Sequence, residues 1–299
     1  MPWNPATAMF ELDVLIATQS PISEPDVDES LFMGALATAG VRAELAAWND
    51  SSVRWDRAPL TVIRSTWGYH QHLPEFLAWA EHVSKVSRLL NPLSVVRKNS
   101  HKSYLVQMAS QGVPVVPTLL VARGNVSDPA ALLETTGWHD FVIKPAVSAG
   151  SWETWRFSEG ATQRQANGED GVQTLCRLAA HGDVLVQPFL SSVYTRGEKS
   201  LVHVDGEFTH AIVKYPRFAG QSESVTGPHG ADADELDLAR QVLSQIPDRL
   251  LYARVDVLRD DAGRAVLGEL EAVEPSLFLQ QFPPAADRLV RAIQREVSS

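Results

Sequence analysis

The chain has 299 residues, of which 44% are hydrophobic and 21% are charged, as in folded proteins of two or three lobes. Its 36 acidic residues outnumber its 26 lysines and arginines, and the net charge of −10 argues against general nucleic-acid binding, which needs a basic surface. The single cysteine, Cys176, excludes intrachain disulfides and cysteine-cluster metal sites, and is expected to be buried on a helix.

The N-terminal segment carries no Lys or Arg before Arg42, so it lacks the charged region of a signal peptide. The longest uncharged run, 103–122, contains Gly112, Pro114 and Pro117, and it predicts a helix, a turn and a strand rather than a membrane span. We therefore expect a soluble, cytoplasmic protein whose partner is neither a membrane nor a nucleic acid. A homodimer is left open.

The first hundred residues alternate predicted strands with predicted helices, which indicates a mostly parallel α/β sheet. Ligands of such sheets bind beyond the carboxyl ends of the strands, where two segments lie, Gln19–Asp28 and Arg64–His70. The predicted elements are strands at Val14–Thr18 and Leu60–Arg64, a helix from Asp28 or Ser30 that stops at Gly40, and a helix opened by Pro74.

The rest of the chain divides into two further stretches, 101–185 and 186–299. The second of these contains the turn signal Asp205-Gly206, which predicts a tight hairpin. The predicted elements are helices at 101–111, before His181, at 234–246 and at 285–297, strands near 115–121 and 141–144, and hairpins of 200–204 with 207–214 and of 252–258 with 265–271.

Several catalytic motifs are absent. The sequence has no GxxxxGK[ST], GxGxxG, GxSxG or HExxH, which excludes a P-loop, a dinucleotide fingerprint, a hydrolase nucleophile elbow and a zincin site. His70 and His72 have the spacing of a metal-binding strand pair, but no third ligand is near in sequence, so polar loop histidines are favoured.

The last hairpin is predicted to be charged on one face and apolar on the other. Pairing Leu258 with Ala265 places Arg254 opposite Glu269. Close carboxylates repel one another unless cations lie among them, and Mg²⁺ suits carboxylate oxygens; a solvated strand face is the alternative. The charged face would carry Arg254, Asp256, Glu269 and Glu271, and the apolar face Val255, Val257, Val266 and Leu270.

Three lysines lie at the ends of predicted elements. Lys144 ends a buried strand and is followed by the small-residue run Ala146–Ser151, whose backbone could enclose phosphates. Lys102 begins a helix, and Lys214 ends a hairpin before the polar segment Arg217–Gly230, which predicts a mobile flap. Each lysine alone fits a solvated position, but together with the acidic hairpin they indicate a polyphosphate ligand.

The order of these motifs resembles the ATP-grasp carboxylate–amine ligases over about 100–276. Glutathione synthetase, D-alanine–D-alanine ligase and the ribosomal-protein glutamate ligases are similar in layout. The resemblance implies an ATP-grasp fold with an N-terminal α/β domain (1–100), a small lobe (101–185) and a large lobe with the metal site (186–299). The motifs are Lys102, Ile143-Lys144-Pro145, Val184–Leu190, Gly197-Glu198, Arg254-Val255-Asp256 and Glu269-Leu270-Glu271.

The resemblance also implies a role for each residue of the site. Glu271 departs from the pattern, because many members carry Asn there, and its extra charge should tighten metal binding. The implied set is Lys102, Lys144 and Ser151 at the phosphates; Gln187, Pro188, Phe189 and Leu190 at adenine; Glu198 at ribose; Lys214 and Arg254 as catalytic residues at the transferred phosphate, with Arg254 also at the oxyanion; and Asp256, Glu269 and Glu271 on two Mg²⁺ ions, or Mn²⁺ in their place.

A narrower resemblance concerns the substrate. The segments 64–67, 91–102 and 269–276 are similar to those of cyclo-ligases that close O-ureido-D-serine to D-cycloserine. This similarity implies a small amino-acid-derived substrate, whose carboxylate is activated as an acyl phosphate and attacked by a nitrogen of the same molecule. The expected substrate contacts are Arg64, Ser65 and Thr66, with Asp26 or Asp28 at the ammonium group.

Other functions remain open at this point. An intermolecular ligase resembling glutathione synthetase would need a second, amine substrate. A nucleotide-binding regulatory protein would bind ATP without releasing ADP, and the three acidic residues of the hairpin count against it. A kinase would leave a stable phosphorylated product.

Overall fold

The computed structural model describes residues 10–22, 24–215 and 224–298. Residues 217–223 of the predicted flap and Ser23 of the segment 19–28 lie outside the described residues. No helix in the described ranges combines the length and the apolar character that crossing a membrane requires.

The N-terminal part is built on a parallel sheet with the strand order β2-β1-β3-β4. Alternate residues of β1 enter two different cores: Val14 and Ile16 pack with the α1 side, while Leu15 and Ala17 pack with the α2 side. The predicted strands and helices are confirmed, and β2 and β4 are added to them. The elements are β1 (Val14–Thr18), α1 (Glu29–Thr38), β2 (Ala43–Ala47), β3 (Leu60–Ile63), α2 (Leu73–Val86) and β4 (Arg88–Leu90).

The middle part carries an antiparallel sheet with the order β5-β8-β6-β7. The predicted burial of Cys176 is wrong, because this side chain lies on the exposed side of α6. The helix predicted at 101–111 begins only at Tyr104. The elements are α3 (Leu93–Asn99), α4 (Tyr104–Ser110), β5 (Leu119–Val121), α5 (Pro129–Thr135), β6 (Phe141–Pro145), β7 (Trp155–Phe157), α6 (Gly171–His181) and β8 (Val184–Pro188).

The C-terminal part carries an antiparallel sheet with the order β11-β10-β9-β12-β13. Both hairpins predicted from the sequence are present. Asp205 and Gly206 have φ values of 53° and 78°, the left-handed pair that a two-residue hairpin turn needs. The elements are α7 (Ser192–Thr195), β9 (Glu198–Val204), β10 (Glu207–Tyr215), β11 (Ser224–His229), α8 (Ala233–Ser244), β12 (Tyr252–Arg259), β13 (Ala265–Glu271) and α9 (Pro283–Val297).

The register predicted for the last hairpin is wrong. Asp256 pairs with Glu269, whereas Val257 pairs with Leu267, so Gly268 is an extra residue on β13 and forms a bulge. Leu258 already lies opposite Val266 rather than Ala265, and the bulge adds a second residue, so Arg254 lies opposite Glu271 rather than opposite Glu269. The two-residue change keeps the four charged side chains on one face, as predicted. Beyond the bulge the faces exchange, and Leu267 instead of Val266 joins the apolar face.

Two of the parts share a core. Apolar residues of β1, α1, β9 and α9 belong to a single cluster, which includes Val14, Phe32, Val202 and Leu289. The N-terminal sheet is thereby fixed against the C-terminal sheet. One face of the middle sheet has its own core around Phe141, while Leu185 packs with the C-terminal part. Residues of all three parts line one cleft.

Candidate active site

A cleft of about 490 Å³ lies where the three sheets meet. Large concave pockets with converging polar groups are the usual location of small-molecule sites. All ten of the sequence-predicted ATP residues and all three predicted metal ligands line it. They are Lys102, Lys144, Ser151, Gln187, Pro188, Phe189, Leu190, Glu198, Lys214 and Arg254, together with Asp256, Glu269 and Glu271.

Arg254 organises the charged face of the last hairpin. Its guanidinium donates two hydrogen bonds to Asp256, Nε to Oδ1 and Nη2 to Oδ2, each 2.9 Å long. It also pairs with Glu271 and donates from Nη1 to the Ser276 carbonyl at 3.3 Å. Burial raises the pKa of Asp256, but the charges of Arg254 and Lys214 outweigh it and hold that pKa well below its usual range.

Lys214 joins two strands of the C-terminal sheet. Its Nζ lies 2.9 Å from Asp256 Oδ2 and 2.5 Å from Glu198 Oε1. Burial raises the pKa of Glu198, against the opposing charge of Lys214. The glycine before Glu198 is required locally: Gly197 has a φ of 71° and packs against the Lys214 carbonyl.

Lys102 joins the middle part to the hairpin. Its Nζ lies 3.1 Å from Glu269 Oε1 and donates to the Ser148 carbonyl at 2.5 Å, within the small-residue run. Its backbone N–H donates to the Ala146 carbonyl at 2.8 Å. Although burial raises the pKa of Glu269, the charges of Lys102 and Lys144 lower it overall.

Lys144 differs from the other cleft cations. In the described part of the chain its ammonium group has no hydrogen bond or ion pair to a carboxylate. Burial lowers its pKa, the Lys102 charge lowers it further, and Glu269 opposes both. A half-buried cation that no described residue pairs with is suited to an anionic ligand.

The residues predicted to hold adenine, Gln187 to Leu190, come from β8 and the segment after it. The Gln187 side chain is buried and donates from Nε2 to Thr118 Oγ1 at 2.8 Å. Phe189 donates its backbone N–H to the Asp140 carbonyl at 2.9 Å, so this amide is already satisfied. The Arg156 guanidinium lies 3.6 Å from the centroid of the Phe189 ring, on which it stacks.

The free edge of β13 is covered by the segment that leads into the middle part. Asn99 donates from Nδ2 to the Leu270 carbonyl at 2.9 Å and accepts from the Ala272 N–H at 2.7 Å. The Tyr104 hydroxyl donates to the same Leu270 carbonyl at 2.9 Å. These bonds satisfy an edge that would otherwise be open, and they fix Glu269 and Glu271 in the cleft.

The acidic residues of the hairpin supply only oxygen donors, which suits Mg²⁺. Their present arrangement is one of ion pairs: Asp256 and Glu271 pair with Arg254, and Glu269 pairs with Lys102. Within residues 10–22, 24–215 and 224–298, no three acidic or histidine side chains converge on one metal-sized point. Burial and the charges of Asp256 and Glu269 raise the pKa of Glu271 to about 7 against the charge of Arg254, so this carboxyl is the least firmly ionised of the three.

The residues predicted to contact substrate are absent from the lining of the cleft. Arg64, Ser65 and Thr66 are buried at the end of β3, and Arg64 donates from Nη1 to the Pro275 carbonyl at 3.0 Å. Asp28 is buried and accepts from the Gln280 N–H at 3.1 Å. Asp26 accepts from the Asp28 N–H at 3.0 Å, and none of these five residues lines the cleft.

Several residues that line the cleft near the N-terminal part were not singled out as ligands from the sequence. They come from the loop after β3 and from the segment after β13, and they are Trp67, Tyr69, His70, Glu274 and Ser276. A signal existed for Glu274, because it follows Glu271 by three residues, just past the strand end. Nothing in the sequence alone shows that these two loops meet.

This fold occurs in D-alanine–D-alanine ligase from Bacillus anthracis, with a TM-score of 0.68 over 96% of this chain and 97% of that chain, at 12% identity. This likeness establishes the fold. A crystal structure of D-cycloserine synthetase DcsG superimposes with a TM-score of 0.83 at 31% identity, covering 95% of this chain and 99% of that chain.

Sequence comparison gives the same result. The cycloserine biosynthesis protein DcsG of Streptomyces lavendulae is 32% identical, over 94% of this chain and 98% of the relative. A family profile described as the N-terminal domain of D-cycloserine synthetase DcsG matches residues 14–91. The chain belongs to the DcsG family of ATP-grasp ligases, whose members use ATP and Mg²⁺.

Proposed function

We propose that this enzyme closes O-ureido-D-serine to D-cycloserine, with one ATP converted to ADP and phosphate. The observation that carries the proposal is the cleft itself, in which Lys144 has no partner in the described chain while Lys102, Lys214 and Arg254 are held near acidic residues. Membership of the DcsG family supplies the substrate class.

The oxygen of a carboxylate is a poor leaving group, so the substrate must first be activated. The substrate carboxylate takes the γ-phosphoryl group of ATP and becomes an acyl phosphate, whose phosphate then leaves readily. The ureido nitrogen bonded to oxygen attacks the acyl carbon of the same molecule and expels phosphate, and hydrolysis releases the carbamoyl group as carbon dioxide and ammonia. Because both reacting groups belong to one molecule, no second substrate site is needed.

Basic side chains of the cleft supply the charge stabilisation. We assign Lys102, Lys144 and the Ser151 loop to the phosphates, and Lys214 to the transferred phosphoryl group. Arg254 is assigned to the same group and to the oxyanion that forms during ring closure. These assignments are supported by their shared position along the cleft.

Two Mg²⁺ ions, which Mn²⁺ can replace, are assigned to Asp256, Glu269 and Glu271. Bound divalent ions would neutralise charge on the triphosphate during transfer. The oxygen-only donor set supports this assignment, and ligand binding must first displace Lys102 and Arg254 from the carboxylates they now hold.

The nucleotide is assigned to the boundary between the middle and C-terminal parts. Gln187 to Leu190 would hold adenine and Glu198 the ribose hydroxyls.

We propose an N-terminal substrate domain to about residue 100, a small lobe and a large lobe. The strand β8 crosses the predicted boundary at 185/186 and pairs with β5 and β6, so the small lobe extends through Pro188. We place the reaction in the cytoplasm, where ATP is available.

An ADP-release assay with O-ureido-D-serine tests this function. The purified enzyme is supplied with ATP and Mg²⁺, with and without D-alanine as an added amine. We expect ADP release and D-cycloserine formation without the amine, and no stimulation by it. ADP release that requires the amine would instead identify an intermolecular ligase, and a stable phosphorylated product would identify a kinase.

A further inference from the structure

We propose that Glu274 binds the ammonium group of the amino-acid substrate and so makes the enzyme select for an α-amino acid. This inference rests on the proposed function, because it assigns one end of the same cleft. It replaces Asp26 and Asp28, the sequence-based candidates for this role.

The segment that carries Glu274 is held in place from two sides. Trp67 donates from Nε1 to the Glu274 carbonyl at 3.2 Å, and Arg64 donates from Nη1 to the Pro275 carbonyl at 3.0 Å. Arg254 donates to the next carbonyl, that of Ser276, at 3.3 Å. The backbone of Glu274 is therefore fixed between the N-terminal domain and the acidic hairpin, and Arg64 and Trp67 act as positioning residues.

The side chain of Glu274, in contrast, forms no ion pair with a described cation, although the charge of Lys102 acts on it. The other acidic residues deep in the cleft each pair with a basic side chain, as Asp256 and Glu269 show. Among the described residues, no hydrogen bond or ion pair joins the Glu274 carboxyl to another residue. Burial and the charge of Glu271 raise its pKa to about 8 against the charge of Lys102, so the ionised form of this carboxyl is costly. A cationic ligand group would remove that cost.

The surroundings of Glu274 select a cation over a phosphate. A carboxylate that forms no ion pair repels phosphate oxygens, so we assign the triphosphate to Lys144 rather than to Glu274. Trp67 contacts the Glu274 backbone, and two further aromatic residues of the same loop, Tyr69 and His70, also line the cleft. Burial lowers the pKa of His70. A primary ammonium group is the cation that the proposed substrate carries.

Asp26 and Asp28, the candidates from the sequence, form other hydrogen bonds and do not line the cleft. Asp28 is 2% exposed and accepts from the Gln280 backbone, so it stabilises the contact between the segment before α1 and the segment before α9. Asp26 accepts from the Asp28 N–H and does not line the cleft. Glu24 does line the cleft but is exposed, and it serves as the rival in the test.

The test compares two substrates on matched variants. O-Ureido-D-serine and its deamino analogue, 3-(ureidooxy)propanoate, are assayed for ADP release with the wild type, Glu274→Gln and Glu24→Gln. A charge-assisted hydrogen bond corresponds to a preference of about 30- to 100-fold for the amino substrate. We expect Glu274→Gln to raise KM for the amino substrate by about this factor. Its KM for ATP and its activity on the deamino analogue should change little.

A binding measurement separates this inference from the proposed function. Both compounds are also titrated calorimetrically into each protein in the presence of ADP and Mg²⁺, which requires no turnover. Weaker binding of the amino compound alone to Glu274→Gln supports the inference even if ring closure fails in the assay. Equal losses for both compounds, no loss, or a loss confined to Glu24→Gln would overturn it. Glu134→Gln, on the exposed side of α5, is the control for an acidic residue remote from the cleft.

Discussion

Arg254 and Asp256 form a bidentate ion pair on adjacent inward positions of β12, with both hydrogen bonds 2.9 Å long and the residues 5% and 1% exposed. A buried pair of this kind is costly to form, and far more costly to leave half complete. The pair holds the guanidinium in the cleft, where it also contacts Glu271.

Replacing Asp256 by Asn should therefore destabilise the fold as well as remove activity. The substitution leaves a buried guanidinium with only one carboxylate, so we expect the free energy of unfolding to fall by about 3 kcal/mol. Urea denaturation measures the change. Asp237→Asn, which breaks the exposed pair with Arg240, is the control and should have little effect. Equal stabilities of the two variants would contradict the buried-pair interpretation.

Lys144→Met, unlike Asp256→Asn, should lower activity without destabilising the fold. Since the ammonium group has no protein partner in the described chain and burial disfavours its charge, we expect stability to be unchanged or slightly raised. Loss of a cation at the phosphates should lower kcat/KM for ATP by about 100-fold. Lys98→Met, on the exposed side of α3, is the matched control. Full activity of Lys144→Met would remove this residue from the nucleotide site.

Gly197→Ala tests the backbone that presents Glu198. An added Cβ would lie 2.8 Å from the Lys214 carbonyl and against Val213, at a φ of 71°. Strain and overlap together should cost about 3 kcal/mol. Gly206→Ala has a similar φ of 78° with nothing within 4 Å, so it should cost only about 1 kcal/mol. Thermal or urea unfolding compares the pair, and an equal cost at both sites would show that the contact with Lys214 is unimportant.

His210 predicts how stability depends on pH. Burial lowers its pKa to about 4, below the ordinary value of 6.5, so between these values the unfolded chain binds a proton that the folded chain does not. Stability must then fall as the pH falls, by about 2 kcal/mol from pH 7 to pH 5 for this group. The loss should be smaller by that amount in His210→Asn when urea unfolding is measured at both pH values. Parallel losses in the two proteins would show that His210 does not titrate in this way.

The sequence predicted the elements with strong periodicity and clear turn chemistry. Val14–Thr18, the Asp205-Gly206 hairpin and both strands of the last hairpin are confirmed. The pairing of that hairpin was wrong by one residue at the turn and by two at Arg254. The second residue comes from the bulge at Gly268, which depends on contacts with Leu258 and the Asp256 backbone rather than on local propensity. The short strands β2 and β4 were missed because tertiary pairing stabilises them.

The candidate site was predictable where charged residues follow element ends. Lys102, Lys144 and the acidic hairpin were found because their types and order are unusual, and they line one cleft. Glu274 was missed as a ligand because its position depends on hydrogen bonds from Arg64 and Trp67, more than 200 residues earlier. Such long-range contacts leave no periodic pattern in the sequence.

The most direct test is a crystal of the enzyme with a non-hydrolysable ATP analogue and Mn²⁺, with anomalous scattering used to locate the ions. We predict manganese peaks beside Asp256, Glu269 and Glu271, and a triphosphate between these ions and Lys144. A triphosphate bound elsewhere, or carboxylates that remain paired with Arg254 and Lys102 while the ions bind at another site, would contradict this account.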